Sequence, residues 1–169
     1  MLDLEQLEQQ SAFKLEGYTV IYILKIITIC ILIKIGWTDL KTKTIPDKWI
    51  AVFFIVTLIL CAVYPECGIK ERIYGGLIVS LPLFICAVCI PGSFGGGDIK
   101  LMAAAGILLG WKQTLLAFVI AIYMAGIGIG VFMLTKKLSR KDAIPFGPAL
   151  CFGITISFLW GETIGKCFL

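Results

Sequence analysis

Asp39 and Asp98 are the residues whose type and surroundings indicate chemistry. Asp39 follows an apolar run that ends at Trp37, and Asp98 follows three consecutive glycines in the run Phe94–Asp98. Two carboxylates that face each other share a proton, because like charges at short range resist ionising together. Such a pair hydrolyses a peptide bond without a metal: the ionised acid takes a proton from water, and the protonated acid donates one to the carbonyl oxygen.

Each of these acids also has a structural interpretation. Asp39 is equally well explained as a solvated residue beside Lys41 and Lys43, and Asp98 as the N-cap of the helix that follows it. The glycines favour a functional role for Asp98, because glycine costs conformational entropy and is used where the backbone turns tightly or approaches a ligand closely.

The other charged residues near these positions have simpler interpretations. Asp47 precedes an apolar block and is interpreted as a helix N-cap. Asp142 is interpreted as a solvated charge or a helix cap. Lys100 either pairs with a carboxylate or extends to the membrane surface, and the sequence leaves both alternatives open.

The absence of histidine excludes Ser-His-Asp and Cys-His catalysis and histidine metal sites. Cys86 and Cys89 form a lone CxxC pair, which we interpret as packing residues because no second pair completes a zinc site. We therefore expect no metal and no cofactor. Whether Cys67 and Cys167 form a disulfide is left open.

The elements that position the two acids are expected to be membrane helices. Hydrophobic residues make up 59% of the 169 residues and charged residues 15%, whereas soluble domains carry about 25% charged residues. We predict an all-α integral membrane protein with about six transmembrane helices. The six apolar blocks are Tyr18–Trp37, Trp49–Tyr64, Ile73–Ile90, Ile99–Trp111, Thr114–Leu134 and Ala143–Gly161.

The fourth apolar block is too short to cross a bilayer. Its 13 residues reach about 20 Å, against an apolar thickness of about 30 Å. If the block ends at the outer interface, its start beside Asp98 lies about 10 Å below the inner surface. An acid at that depth is a candidate functional residue.

The distribution of basic residues predicts the orientation. Nine of the lysines and arginines fall in loops on one side and five on the side of both termini, while Lys25 lies inside the first block. The positive-inside rule makes those loops cytoplasmic and both termini external. The net charge of +4 therefore reflects topology, and no nucleic-acid partner is expected.

This topology gives two segments. Residues 1–17 are a polar extracytoplasmic segment, either a surface helix or a frayed tail, and residues 18–169 are a six-span membrane domain.

Three motifs resemble those of one protein family. Gly95-Gly96-Gly97-Asp98 has the form GxGD, and Asp39 is followed by basic residues and Ile45-Pro46-Asp47. Pro145-Phe146-Gly147-Pro148 lies near the start of the last block and begins a proline-glycine motif that runs to Gly153. Their order resembles that of the prepilin peptidase (type IV leader peptidase) family of GxGD aspartyl proteases.

The resemblance implies that Asp39 and Asp98 are the catalytic pair of an aspartic endopeptidase. The implied substrate is a prepilin or pilin-like precursor, whose short basic leader is removed on the cytoplasmic face of a bacterial or archaeal cell membrane. The implied partners are that precursor and the lipid bilayer, and the oligomeric state is open. The motif residues with an implied supporting role are Gly95, Gly97, Lys100, Ile45, Pro46, Asp47, Pro145, Gly147 and Pro148.

The chain also departs from the longer members of that family. The loop Thr38–Lys48 contains no cysteine, whereas long members carry paired CxxC motifs there in a domain associated with N-methylation. The chain resembles the short, peptidase-only form. Pro148-Ala149-Leu150 also resembles the PAL motif of presenilins, but Thr38 precedes Asp39 where those proteins have tyrosine.

Two other classes of function are also compatible with parts of the sequence. A small ion-coupled membrane transporter would also use short, glycine-broken spans and buried acids, but no inverted repeat accompanies them. A membrane scaffold would explain Gly126, Gly128 and Gly130, which we interpret as internal packing residues rather than a dimer face. A scaffold does not explain acids at the inner ends of spans.

Overall fold

The computed structural model describes residues 4–63, 67–90, 94–134 and 145–168, and this part of the chain forms helices joined by short connections. The helices are α1 (Leu4–Thr42), α2 (Asp47–Val63), α3 (Ile69–Ile78), α4 (Ser80–Cys89), α5 (Gly96–Leu109), α6 (Trp111–Leu134) and α7 (Gly147–Phe168). The prediction of an all-α membrane protein is confirmed.

Within the described ranges, three stretches of helix are long and apolar enough to cross a membrane: Thr19–Thr42, Ile69–Cys89 and Trp111–Val131. The second of these combines α3 and α4, which are separated only by Val79. Pro82 explains this interruption, because proline has no N–H to donate to residue 78 and its ring crowds the preceding turn. The number of spans, six, remains a prediction.

The N-terminal segment differs from its predicted form, whereas the fourth block agrees with it. Residues from Leu4 onward belong to α1, so a helix continuous with the first span replaces both the separate surface helix and the frayed tail. The 14 residues of α5 extend about 21 Å, which agrees with the short fourth block. Ala143, where the sixth block was predicted to begin, lies outside the described residues, and α7 begins at Gly147.

α5 is the central helix, and it contacts α2, α3, α4, α6 and α7. Small residues on α5 let its neighbours approach closely. A Cβ on Gly75 of α3 would lie 2.7 Å from the Gly110 carbonyl carbon, and one on Gly106 would lie 2.7 Å from the Gly76 nitrogen. The largest fully buried apolar side chains come from four helices: Leu32, Ile35, Phe53, Leu101, Met102, Leu150 and Ile154.

The glycines of α6 do not pack as predicted. A Cβ added to Gly126, Gly128 or Gly130 would have no atom within 4 Å among the described residues. The interpretation of these glycines as internal packing residues is therefore wrong. Close helix packing occurs instead between α3 and α5, and between α7 and α6, where Gly153 lies against the backbone of Ala117.

The cysteines are less buried than their apolar surroundings indicated. Cys86 and Cys89 are exposed on α4, so they do not pack in the interior, whereas Cys151 on α7 is buried. Cys67 contacts the Leu109 carbonyl oxygen at 3.9 Å. The side chain of Cys167 lies outside the described part, so its pairing with Cys67 stays open.

Candidate active site

Asp39 lies one turn before the end of α1 and is only 4% exposed. Its Oδ2 accepts a hydrogen bond of 3.1 Å from the backbone N–H of Gly147, the first residue of α7. The first N–H groups of a helix have no partner within the helix, and the positive end of the helix favours an anion. The start of α7 therefore supplies Asp39 with a donor that is compatible with a carboxylate.

Glycine is required at position 147 by this close approach. A Cβ on Gly147 would lie 2.6 Å from Oδ2 and 2.8 Å from Cγ of Asp39. Pro148 follows in the first turn of α7, where proline is tolerated because its missing N–H has no intrahelical acceptor. Pro145 and Phe146 precede the helix and are half-buried. The proline-glycine motif thus builds a helix start that contacts Asp39.

Asp98 is the third residue of α5 and is 8% exposed. Its Oδ2 accepts a hydrogen bond of 3.3 Å from the Gly95 N–H, and the Asp98 N–H donates to the Gly95 carbonyl at 3.1 Å. Asp98 therefore helps to cap α5, but from inside the first turn and not as the N-cap residue. Capping occupies only one of its two carboxylate oxygens.

The second oxygen, Oδ1 of Asp98, is buried and has no hydrogen-bond partner among the described residues. Buried polar atoms in folded proteins are almost always paired, because an unpaired one loses its hydration without compensation. An unpaired carboxylate oxygen is a place where water or a substrate group would bind.

The glycine run before Asp98 was expected to serve a tight turn or a close approach to a ligand, and the structure shows no left-handed turn at its described glycines. Gly95 has an ordinary extended backbone, with φ −74° and ψ 142°, and no described glycine of the run has a positive φ. Gly97 is the position that needs glycine, because a Cβ there would lie 2.8 Å from the Cβ of Ile45. The connection between α1 and α2 therefore packs directly on the start of α5.

The carboxylates of Asp39, near the end of α1, and Asp98, at the start of α5, are both buried and lie within electrostatic range of each other. The thiol of Cys151, one turn after Gly147 on α7, lies within electrostatic range of both. Cys151 also packs against Gly36, where an added Cβ would lie 3.5 Å from its own. Sequence reasoning missed Cys151, although its spacing of four residues from Gly147 places both on one face of α7.

Half-buried apolar side chains lie next to the two acids. The rings of Phe94 and Phe146 meet edge to face with their centroids 5.7 Å apart. These residues directly precede the Gly95 and Gly147 positions whose N–H groups bind the two carboxylates. The contact between the two rings therefore joins the two segments whose glycine N–H groups bind Asp39 and Asp98.

Lys100 pairs with Asp47 across the site. Its Nζ lies 2.8 Å from Oδ1 of Asp47, and the two side chains are 58% and 74% exposed. Of the two alternatives left open for Lys100, the structure has the pairing with a carboxylate. Asp47 begins α2, so its charge also lies at the positive end of that helix.

All the predicted site residues lie within the described part and at one end of the bundle. They come from the end of α1, the connection to α2, and the starts of α2, α5 and α7. Asp142 lies outside the described residues. Within those residues, no group of three or more Cys, Asp or Glu side chains is arranged to hold a metal ion.

Fold and site together define a helical membrane protein with two buried acids within electrostatic range of each other at one end of its bundle. The chain belongs to the type IV leader peptidase family, whose model matches residues 26–131.

Curated relatives carry the name prepilin leader peptidase/N-methyltransferase. A protein of Legionella pneumophila is 32% identical over 158 residues, covering 88% of this chain and 53% of the relative. One of Bacillus subtilis is 30% identical over 143 residues, covering 82% and 56%. One of Escherichia coli K12 is 29% identical, covering 76% and 59%. The chain thus spans about half the length of these relatives. No solved structure matches it.

Proposed function

We propose that this chain is an aspartic endopeptidase in which Asp39 and Asp98 form the catalytic pair. The observation that supports the proposal most directly is that two buried carboxylates from different helices lie within electrostatic range of each other, and that one of them has an oxygen without a hydrogen-bond partner among the described residues. A purely structural pair would be expected to have both acids fully hydrogen-bonded.

The proposed mechanism uses a proton shared between the two acids. Their mutual repulsion in a buried site favours one ionised and one protonated carboxyl group. The ionised acid removes a proton from water, which attacks the scissile carbonyl, while the protonated acid donates to the carbonyl oxygen. The tetrahedral intermediate then collapses as the leaving amine is protonated. Gly147 and Gly95 hold the carboxylates in place through their N–H groups.

The proposed substrate is a prepilin or pilin-like precursor with a short basic leader before an apolar helix. Cleavage would occur at the cytoplasmic face, where the positive-inside rule puts the ends of the helices that carry Asp39 and Asp98. An apolar substrate segment suits this protein, because large hydrophobic side chains are exposed along α1, α2, α4 and α6 and would face lipid.

We propose peptidase activity for this chain, in which the connection between the first two helices is short. Only Lys43–Pro46 separates α1 from α2, so this connection holds no domain with paired CxxC motifs.

The proposal is tested by cleavage of a prepilin precursor by purified protein in detergent or liposomes. Asp39→Asn and Asp98→Asn should each abolish processing, because asparagine keeps the shape of the side chain but cannot exchange the proton. Glu71→Gln is the matched control, since Glu71 is exposed in the first turn of α3 at the other end of the bundle.

Both aspartate variants should still be folded, which a thermal unfolding transition in detergent would show. Full cleavage by either variant would exclude Asp39 and Asp98 as the pair. Ion flux in liposomes with no proteolysis by the unmodified protein would instead favour a transporter.

A further inference from the structure

The connection between α1 and α2 joins the chain segments that carry the two acids. Asp39 lies in the last turns of α1, six residues before Ile45, and Ile45 packs against Gly97, the neighbour of Asp98 at the start of α5. A Cβ on Gly97 would lie 2.8 Å from the Cβ of Ile45 and 3.4 Å from its Cγ1. The side chain of Ile45 therefore lies directly on the backbone of α5.

The path from Asp39 to Ile45 has a defined conformation. The Lys43 N–H donates a hydrogen bond of 2.8 Å to the Asp39 carbonyl, and Lys43 has a positive φ of 53°. A left-handed residue directly after a helix ends it and turns the chain. The Thr42 hydroxyl then donates to the Thr44 carbonyl at 2.9 Å, and the proline after Ile45 restricts that residue to extended conformations. Local bonds thus fix Ile45 relative to Asp39.

On the other side of the contact, Gly97 and Asp98 lie in the first turn of α5, so a displacement of one displaces the other. The ion pair of Lys100 with Asp47 also connects α5 to the start of α2, but both side chains are exposed, and exposed pairs gain little free energy. Ile45 is half-buried and packs against the apolar core. Its contact with Gly97 is therefore the firmer of the two connections.

We propose that Ile45 is a positioning residue, which sets the separation of the Asp39 and Asp98 carboxylates by packing on Gly97. The inference rests on the proposed function, in which the two acids share a proton. Displacing a reacting group by about 1 Å lowers a rate by about a hundredfold, and the repulsion between two acids falls as they move apart. The Ile45 contact therefore affects both the rate of cleavage and its pH range.

Gly97→Ala is the first variant of the test, in the purified full chain with a prepilin precursor. The added Cβ would lie 2.8 Å from the Cβ of Ile45, so the start of α5 must move away from the connection. Cleavage should fall about a hundredfold. Gly96→Ala adds the same methyl group one residue earlier, with no described atom within 4 Å, and should cleave at the unmodified rate.

Ile45→Gly in the Gly97→Ala background exchanges the glycine across the contact. Of the three atoms nearest to the added Cβ, only the carbonyl oxygen of residue 45 then remains, at 3.4 Å, which is an ordinary contact. The double variant should recover at least about tenfold of the lost rate, a usual size for the coupling of residues in contact. Ile45→Gly alone opens the contact without adding an atom and should lower cleavage.

The pH dependence of cleavage separates a change in acid separation from a loss of folded protein. Among the described residues, the titratable groups in electrostatic range of Asp98 are Asp39 and the thiol of Cys151. When the two acids move apart, their repulsion weakens and the shared proton is lost at lower pH. The high-pH limb of the cleavage profile should therefore move to lower pH in Gly97→Ala and return in the double variant. Partial unfolding would lower the rate without this shift.

Thermal unfolding in detergent accompanies each rate measurement. Recovery of the rate and of the high-pH limb in the double variant supports the inference. Unchanged cleavage by both single variants, a loss that the double variant does not recover, or a loss without a shift of the limb overturns it while the proposed function stands. Absence of cleavage by the unmodified protein, or cleavage by Asp39→Asn, would overturn the proposed function and the inference with it.

Discussion

The backbone N–H of Gly147 donates a hydrogen bond of 3.1 Å to Oδ2 of Asp39, across a separation of 108 residues in the chain. It attaches the first turn of α7 to the last turns of α1 at the candidate active site. The contact is so close that no side chain fits at position 147. The orientation of Asp39 therefore depends on a glycine in another helix.

Gly147→Ala should reduce prepilin cleavage by about a hundredfold, because displacing a reacting group by about 1 Å has effects of this size. The added Cβ would lie 2.6 Å from Oδ2 of Asp39, so either the carboxylate or the start of α7 must move. Steady-state cleavage of a prepilin precursor measures the loss, and thermal unfolding in detergent shows whether the fold survives.

Gly96→Ala is the matched control for that substitution. Gly96 also begins a helix at the site, but an added Cβ there has no described atom within 4 Å. Gly96→Ala should therefore cleave the prepilin precursor at about the rate of the unmodified protein. Equal losses in both variants would mean that alanine at any of these helix starts is harmful, and that the contact with Asp39 is not the cause.

Gly106→Ala should lower the free energy of unfolding by about 3 kcal/mol, the upper part of the range for overpacked cores. The new Cβ would lie 2.7 Å from the Gly76 nitrogen, and two packed backbones cannot relax as a flexible side chain can. Unfolding in mixed micelles measures the change.

Gly128→Ala supplies the comparison for Gly106→Ala. An added Cβ on Gly128 has open space among the described residues, so alanine should stabilise α6 by about 0.5–1 kcal/mol through its higher helix propensity. A destabilised Gly128→Ala variant would indicate a contact with another chain at this position.

The helical class and the short central helix were predictable because both follow from the lengths of apolar blocks. Hydropathy also separated α1 from α2 and showed that Asp98 opens a helix too short to span the bilayer. The continuation of α1 back to Leu4 was not predictable, because the acidic N-terminal segment has only a weak helical pattern.

The contacts between helices were the part that sequence could not supply. Gly126, Gly128 and Gly130 have the spacing of a packing motif yet contact nothing described, while Gly75 and Gly106 lie in ordinary apolar runs and form the closest helix contact. Helical spacing shows which residues share a face of one helix, but not which helix that face meets. For the same reason, Cys151 could not be placed beside the two acids.

The ion pair between Lys100 and Asp47 should contribute less than about 1 kcal/mol to the free energy of unfolding, because exposed pairs gain little over their hydration. Their side chains are 58% and 74% exposed, although the atoms lie 2.8 Å apart. A double-mutant cycle of Lys100→Gln and Asp47→Asn measures the coupling, which should fall as salt concentration rises. A salt-independent coupling above that value would show that lipid or substrate shields the pair from water.

Thr57→Val should raise the free energy of unfolding by about 1 kcal/mol, because it removes a buried hydroxyl that lacks a partner. Thr57 lies in α2 with 1% of its surface exposed, and its Oγ1 has no hydrogen bond among the described residues. Valine has nearly the same shape, so the packing is kept.

Thr28→Val is the matched control, since Thr28 is also 1% exposed but its Oγ1 donates to the Leu24 carbonyl at 2.8 Å. That substitution should leave stability unchanged or lower it. Thr57→Val should therefore raise the free energy of unfolding relative to Thr28→Val. A loss of stability in Thr57→Val equal to that in Thr28→Val would mean that the Thr57 hydroxyl has a partner, such as a buried water molecule, inside the bundle.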